Sequence, residues 1–289
     1  MEAVVARRMW QLLEPYHAVV YFVPETVEGY KQAGLKGYWM GYFASRAAAM
    51  GPVPAEVVMA TFYNFHPRMV RRAIPDAWSF SSPAKVLDAR HRGVDAALRR
   101  LLGDAIDSDV VAEAASLARR VADACDASGH PLYAGHASLP WPAEPHLALW
   151  HAATLLREHR GDGHVAVLVA EGIDGCEAHV MLVASGRSTA EIQREFRRWS
   201  EDEWAEAVAR LRARGLVDAS GSFTDAGRDL HVAIERRTDE LALVPYRALD
   251  EGELDRLNKC LETIIPTIVG QSIPYPNPMG LPAPGAAAR

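Results

Sequence analysis

"STAEIQREFRRW" (residues 188–199) and "SEDEWAEAVARLRARG" (200–215) are the two segments that decide the fold predicted for this chain. The first opens on Ser188 or Thr189 with Glu191 close behind, and the second opens on Ser200 with Glu203 three residues later. A hydroxyl residue followed by such a glutamate forms a capping box, in which side chains satisfy the free backbone N–H groups of a helix N-terminus. Gly215 ends the second segment. The pattern therefore predicts two consecutive helices.

The flanking segments extend this pattern in both directions. "DGCEAHVMLVAS" (174–185) predicts a helix before the pair, and "DAGRDLHVAIERRTDELALVPYRAL" (225–249) predicts a long helix after it. Between them, "LVDASGSFT" (216–224) predicts two short strands around Ser220-Gly221. Three helices, a small hairpin and an exit helix make up the pattern of a winged helix-turn-helix.

The run "AVARLRARGLVDASGSFTDAGRDLHVAIERRTDEL" (207–241) resembles the end of a MarR-type winged helix. In that family the recognition helix leads into an arginine-glycine-leucine-valine turn, a wing, and a threonine-x-x-glycine-arginine start of a long dimerisation helix. The whole chain also resembles a group of uncharacterised actinobacterial winged-helix proteins. The shared stretches are "FYNFHP" (62–67), "PDAW" (75–78), "LREHRGDGH" (156–164) and "NPMG" (277–280). The resemblance implies a MarR-like fold and a homodimer, and it implies no particular activity.

The rest of the chain is predicted to be helical, because helix-forming residues dominate and apolar residues recur at helical spacing. The expected fold class is all-α with a small β-wing, in which an N-terminal helical domain packs on the MarR-like winged helix. The expected boundaries are an N-terminal helical domain at 1–130, a Gly/Pro-rich crossing at 131–145, the winged helix-turn-helix domain at 146–250, a closing helix at 251–276 and a disordered tail at 277–289.

The composition, 49% hydrophobic and 24% charged, is typical of a globular protein with a core. Cys125, Cys176 and Cys260 lie far apart without a CxxC pair, which disfavours a disulfide framework or zinc finger and favours a reducing cytoplasm. The first residues do not form a signal peptide, and no apolar run is long enough to span a membrane. No GxSxG elbow occurs, which disfavours a serine hydrolase. Neither a glycine-rich phosphate loop nor a dinucleotide motif occurs, so no cofactor is expected.

The charge around the helix pair disfavours DNA as a partner. The chain has a net charge of −6, and residues 186–230 contain eight arginines against nine acids. The recognition helix begins Glu201-Asp202-Glu203, and the N-terminal end is the part of such a helix that meets bases and phosphates. These acids also suit a helix N-terminus through the macrodipole. The one local basic patch lies on the second helix, so the candidate DNA-binding residues are Arg194, Arg197 and Arg198.

"LREHRGDGH" (156–164) concentrates charge between two apolar flanks, at a point where Gly161–Gly163 is expected to stop or kink a helix. Asp162, between the two glycines, is then expected to cap the helix that follows through its carboxylate. One interpretation is a network of ion pairs that ties two helices together. The other is a pocket wall in which Arg157 or Arg160 binds an anionic ligand, with Glu158 as a further candidate ligand-binding residue. In that case His159, Asp162 and His164 are the candidate acid–base residues. His159 and His164 are badly spaced for one ion, so no metal site is expected.

"ATFYNFHPRMV" (60–70) supplies a possible opposite wall, because it sets polar side chains in an aromatic run. Tyr63, Asn64 and His66 are therefore further candidate ligand-binding residues, and a helical core is the alternative explanation of the same pattern.

Three functions remain open. The first is a winged-helix protein with a small-molecule pocket, either a transcriptional regulator or a descendant of one with reduced DNA binding. The second is an enzyme on the same scaffold that uses the His, Asp and Arg residues of 157–164. The third is a structural or partner-binding protein without a ligand.

Overall fold

The computed structural model describes residues 2–280, and this range contains fifteen α-helices and three short 3-10 helices. The α-helices are α1 (Ala3–Phe22), α2 (Pro24–Gln32), α3 (Gly37–Ala47), α4 (Ala55–Phe62), α5 (Pro67–Arg71), α6 (Ala77–Phe80), α7 (Pro83–Leu102), α8 (Asp109–Asp123), α9 (Pro131–Ala137), α10 (Pro145–Ala170), α11 (Gly175–Ala184), α12 (Ala190–Arg197), α13 (Glu201–Ala213), α14 (Asp225–Leu243) and α15 (Glu251–Ser272). The 3-10 helices are Ala48–Met50, Gly103–Asp107 and Val244–Ala248.

The helix pair of the opening segments is α12 and α13, and local capping explains where each begins. Ser200 caps α13, where it forms a capping box with Glu203 as the sequence predicts. Thr189 caps α12 by accepting from the backbone N–H of Ile192. Glu191 therefore stands one position too early to complete a capping box there. Asp174 and Glu177 form a further capping box at the start of α11.

The predicted β-wing is wrong. Residues 216–224 hold a single antiparallel bridge between Val217 and Phe223, and no strand occurs within residues 2–280. The carboxylate of Asp218 accepts from the backbone N–H groups of Ser220 and Ser222, which closes the turn tightly. Thr224 already caps α14 at the end of this turn. Too few residues are left for a two-stranded ladder, so the fold over the described range is all-helical.

The long helix α10 lies at the centre of the molecule. It packs against α1, α8, α9 and α14, and its middle section is buried on all sides, as expected for a helix inside a core. The main core joins α1, α7, α8, α10 and α15. A second cluster surrounds α3 to α6, and a third lies among α11, α13 and α14.

Two local expectations on α10 are wrong. The helix continues without a break through Gly161–Gly163, where a stop or kink is predicted. Asp162 was expected to cap the segment that follows it in sequence. Instead its carboxylate accepts from the backbone N–H groups of Leu132 and Tyr133, each at 2.9 Å, and so caps α9. Asp162 of α10 therefore caps a neighbouring helix that is distant in sequence, and not the segment that follows it.

The segment Asn277–Gly280 packs against the helix-turn-helix. The carbonyl of Pro278 accepts from Nε2 of Gln193 at 3.1 Å, and Asn277 is buried. The predicted disordered tail thus begins with buried residues, and its remainder, 281–289, lies outside the described residues. The domain boundaries remain a prediction. None of the helices in residues 2–280 is both long enough and apolar enough to cross a membrane.

Candidate functional site

A cavity of about 260 Å³ lies where α10, the aromatic segment 61–65, the helix-turn-helix and α14 meet. Of the residues predicted from the sequence, seven line it: Asn64, Arg157, Glu158, Arg160, Asp162, His164 and Arg197. The five that do not line it are Tyr63, His66, His159, Arg194 and Arg198. The fold therefore brings most of the 157–164 stretch to one cavity and adds one arginine of the predicted DNA-binding set.

Glu158 is the centre of an ion-pair network at one end of the cavity. Its side chain is 1% exposed and accepts from Nη2 of Arg46 at 3.1 Å and from Nη1 of Arg157 at 2.8 Å. Nε of Arg157 also donates to Glu14 at 3.3 Å. Burial alone would raise the pKa of Glu158, but the guanidinium groups of Arg157 and Arg46 outweigh it and hold that pKa well below its usual range. The carboxylate is ionised and fully engaged.

Arg160 belongs to a second network. Its Nη2 lies 3.0 Å from Oδ1 of Asp239 and 3.8 Å from Glu235, while Nε of Arg7 donates to Oδ2 of Asp239 at 2.9 Å. Burial would raise the pKa of Glu235, but Arg7 and its neighbours lower it to about 2. These contacts join α1, α10 and α14. The helix-junction network predicted for 157–164 is therefore present, and the same residues line the cavity.

The three candidate acid–base residues have different surroundings. Burial raises the pKa of Asp162 to about 7, against the two backbone N–H groups that lower it. His164 lies with Nδ1 2.9 Å from Oγ1 of Thr238, and burial lowers its pKa to about 4. His159 stacks on His130 with ring centroids 4.0 Å apart, away from the cavity, and burial lowers its pKa to about 4. Both histidines are therefore neutral at pH 7.

The segment 62–67 holds the helix-turn-helix against the N-terminal half. The hydroxyl of Tyr63 donates to the carbonyl of Ile173 at 2.5 Å. The carbonyl of Asn64 accepts from His179 and from Trp199, at 3.1 and 3.3 Å. His66 lies with Nε2 2.8 Å from Oε1 of Glu203, the residue that completes the cap of α13. These contacts place Tyr63 and His66 in an interface, outside the cavity.

The predicted DNA-binding arginines are not brought together on one surface. Nη2 of Arg194 pairs with Glu201 at 2.8 Å. Arg197 is buried in the cavity wall, and Arg198 is exposed in the turn before α13. Exposed acids dominate the start of α13, namely Glu201, Asp202 and Glu206. The exposed start of α13 is thus acidic.

Two further arginines line this cavity, Arg46 and Arg187, and neither is among the predicted site residues. A signal existed for Arg46, because it is the one charged residue in the aromatic run "GYWMGYFASRAA" (37–48). No comparable signal marks Arg187, which follows a glycine in the connection between α11 and α12. Its guanidinium lies 5.5 Å from the centroid of the Trp10 ring, and burial lowers its pKa. In the part of the chain that the structure describes, no cluster of three or more metal-ligating side chains occurs.

Comparison with known families covers nearly the whole chain. A family model described as "Helix-turn-helix family" matches residues 6–274, which include all the helices that form the cavity. No curated protein matches the chain, and no solved structure matches it.

Proposed function

This chain belongs to a helix-turn-helix family, and we propose that it binds a small molecule in the cavity beside that motif, as a transcriptional regulator or a descendant of one with reduced DNA binding. One observation carries the proposal. Arg197, the last residue of α12, lines the cavity with its side chain, while its carbonyl accepts from the backbone N–H of His66 at 3.2 Å. A ligand in the cavity would therefore touch the turn between the two helices of the motif.

Ligand binding at this position can change how the motif is held. The turn is fixed by Arg197 on one side and by the contact of His66 with Glu203 on the other. A ligand shifts such an arrangement only by binding one conformation better than another. The contacts of segment 62–67 hold the helix-turn-helix, so a ligand that favours one arrangement of these contacts would change how the motif is held.

Reduced DNA binding is supported by the charges on α13. Glu201, Asp202 and Glu206 are exposed, and repulsion between these carboxylates and phosphate opposes the electrostatic term that supplies most non-specific affinity. DNA remains the partner that the family suggests, and Arg198 and Arg212 are two exposed cations of the motif. The homodimer remains a prediction, because the two exposed apolar side chains of α14, Val232 at 60% and Leu241 at 45%, are nine residues apart and so lie on opposite faces of the helix. A cytoplasmic location remains a prediction.

Catalysis is a second candidate, and one observation favours it. Asp162 and His164 both line the cavity, and burial raises the pKa of Asp162 to about 7, which suits a general acid or base. Arg157 or Arg160 would then bind an anionic group of the substrate. The carboxylate of Asp162 already accepts two backbone bonds, so the binding function accounts for more of the site.

The test of the proposed function is a thermal-shift screen of metabolite-sized compounds against the wild type and Ala178→Phe. Ala178 lines the cavity from α11 and is only partly buried, so a phenyl group there fills the space at modest cost. We expect compounds that raise the melting temperature of the wild type and not that of Ala178→Phe. Equal shifts in both proteins would place the binding elsewhere and contradict the proposal.

DNA binding is measured in parallel, with a labelled random pool at low and moderate salt. We expect weak binding that disappears at moderate salt and is reduced in the double variant Arg198→Ala and Arg212→Ala. The matched control is Arg236→Ala, an exposed arginine of α14 far from the acids in sequence. Tight, sequence-specific binding at moderate salt would overturn the reduced-binding part of the proposal and leave a full regulator.

A further inference from the structure

Ion pairing is incomplete at the Glu158 end of the cavity. Three arginines line this end, Arg46, Arg157 and Arg197, together with three carboxyl groups, Glu14, Glu158 and Asp162. The carboxylate of Glu158 is shared between Arg46 and Arg157, and Glu14 accepts from Arg157. Asp162 accepts from the backbone N–H groups of α9, and burial raises its pKa to about 7. Arg197 is therefore the arginine of this end that forms no ion pair with these carboxyl groups.

Arg197 is held by weak partners although it is buried. Its side chain donates from Nη2 to the carbonyl of Pro278 at 3.4 Å, and its guanidinium lies 4.4 Å from the centroid of the Phe65 ring. Its Nε has no hydrogen-bond partner, and the residue is 8% exposed. Within residues 2–280 no carboxylate lies within salt-bridge distance of this group.

An unpaired charge in this position is unfavourable. Moving an ion out of water costs several kcal/mol unless a counter-charge and hydrogen bonds compensate for it. Arg46 and Arg157 add repulsion, since both are close enough to lower the pKa of Arg197 further than burial does alone. Arginine stays protonated under such conditions, so the charge persists and the missing partner is an anion.

The side chains around Arg197 indicate what the uncharged part of this anion is like. The rings of Phe62, Phe65 and Tyr42 line the same end of the cavity. Nε of Arg46 is also buried without a partner, and the guanidinium of Arg46 lies 4.0 Å from the centroid of the Phe62 ring. Two free N–H groups therefore stand beside an aromatic wall.

We infer that the ligand is a small organic acid with one carboxylate, which pairs with Arg197, and an apolar body, which packs on Phe62 and Phe65. This inference rests on the proposed function, because it names the ligand class of the same cavity. A single carboxylate matches the one unpaired guanidinium at the Glu158 end, whereas a phosphate dianion would exceed it. The volume of about 260 Å³ lies just below the range of roughly 300–1,000 Å³ that holds drug-sized ligands.

The experiment compares a carboxylate with its neutral isostere. Benzoate and benzamide are titrated calorimetrically into the wild type, Arg197→Met and Arg198→Met, with hexanoate and inorganic phosphate as further probes. Arg198 is the matched control, because it is the next residue and its side chain is exposed. We expect benzoate to bind the wild type and Arg198→Met with equal affinity. Its affinity for Arg197→Met should be at least about tenfold lower, because a charge-assisted hydrogen bond is lost. Benzamide should bind the wild type at least about tenfold more weakly than benzoate for the same reason.

The unliganded variant gives an independent readout. If Arg197 is present to bind an anion, Arg197→Met without ligand is at least as stable as the wild type, because an unpaired buried charge has been replaced by an apolar side chain. If Arg197 is structural, Arg197→Met is clearly less stable. Arg197→Lys retains the charge without the planar fork, and we expect it to bind benzoate several-fold more weakly than the wild type.

The inference is overturned if benzamide binds as well as benzoate, if Arg197→Met binds benzoate like the wild type, or if phosphate binds and no carboxylate does. Absence of binding by both acids also overturns it. A neutral compound that stabilises the wild type but not Ala178→Phe would contradict the ligand class and leave the proposed function intact. The proposed function fails separately, when no compound distinguishes the wild type from Ala178→Phe.

Discussion

Arg160 and Arg197 line different parts of one cavity, and they differ in what neutralises them. Arg160 pairs with Asp239 at 3.0 Å, and Asp239 in turn binds Arg7, so the charge of Arg160 has a partner. Arg197 has a backbone carbonyl and an aromatic ring. Both side chains are largely buried, at 12% and 8% exposed. The presence of a buried arginine therefore does not by itself indicate a ligand site. A buried arginine without a carboxylate partner is the better indicator.

The largest expected effect comes from breaking the network beside Arg197. Glu158→Gln leaves Arg46 and Arg157 without their shared carboxylate, and removing one partner of a buried ion pair destabilises a protein by about 3–5 kcal/mol. Urea unfolding at pH 7 measures the loss. Glu240→Gln is the control, because Glu240 pairs with Arg236 on the surface of α14, where the change should stay below about 1 kcal/mol. Similar values for both variants would show that the Glu158 network is not needed for folding.

The next largest effect is the difference in stability between variants of Arg160 and Arg197. Arg160→Met removes one partner of Asp239 but leaves Arg7 in place, so we expect a loss of about 1–3 kcal/mol, the cost of one charged hydrogen bond. Arg197→Met makes the same chemical change at the unpaired end, where no loss is expected. Urea unfolding of both variants without ligand tests the difference. Equal destabilisation would mean that Arg197 is as structural as Arg160.

The smallest effect is a change in pH dependence at the Arg160 end. The pKa of His164 is lowered by burial to about 4 in the folded protein, against about 6.5 in the unfolded chain. Between these values the unfolded state binds more protons, so the stability that neutral His164 contributes is present above pH 6.5 and is lost as the pH falls towards 4. Glutamine does not titrate. Between pH 7 and pH 5 the free energy of unfolding of His164→Gln should therefore fall by about 1–2 kcal/mol less than that of the wild type.

Thr238→Val is the matched control for this measurement, because it removes the hydroxyl that contacts His164 and keeps the titrating ring. Its free energy of unfolding should fall as steeply with acid as that of the wild type. If His164→Gln is as acid-sensitive as Thr238→Val, the pH dependence originates at other buried histidines, such as His136 and His179, whose pKa values burial lowers to about 3.

The sequence by itself determined the helices of the helix-turn-helix. The segments 174–185, 188–199 and 200–215 are α11, α12 and α13 to within about two residues at each end. Their starts depend on hydrogen bonds between residues at most three positions apart, such as those of Ser200 and Glu203. Local chemistry of this kind can be read from spacing. The prediction of a β-wing is wrong because a short polar sequence of this kind fits both a hairpin and the turn that Asp218 closes.

Only the tertiary structure decided which charged residues are free. Arg157, Glu158 and Arg160 are neighbours in sequence, but their partners Glu14, Arg46 and Asp239 lie at least 79 positions away. Arg197 stands between Arg194 and exposed Arg198 in the sequence and looks like part of a surface patch, yet its side chain is buried in the cavity wall. Coulomb interaction and burial depend on distance in space, and a helix-rich sequence does not specify which faces of distant helices meet.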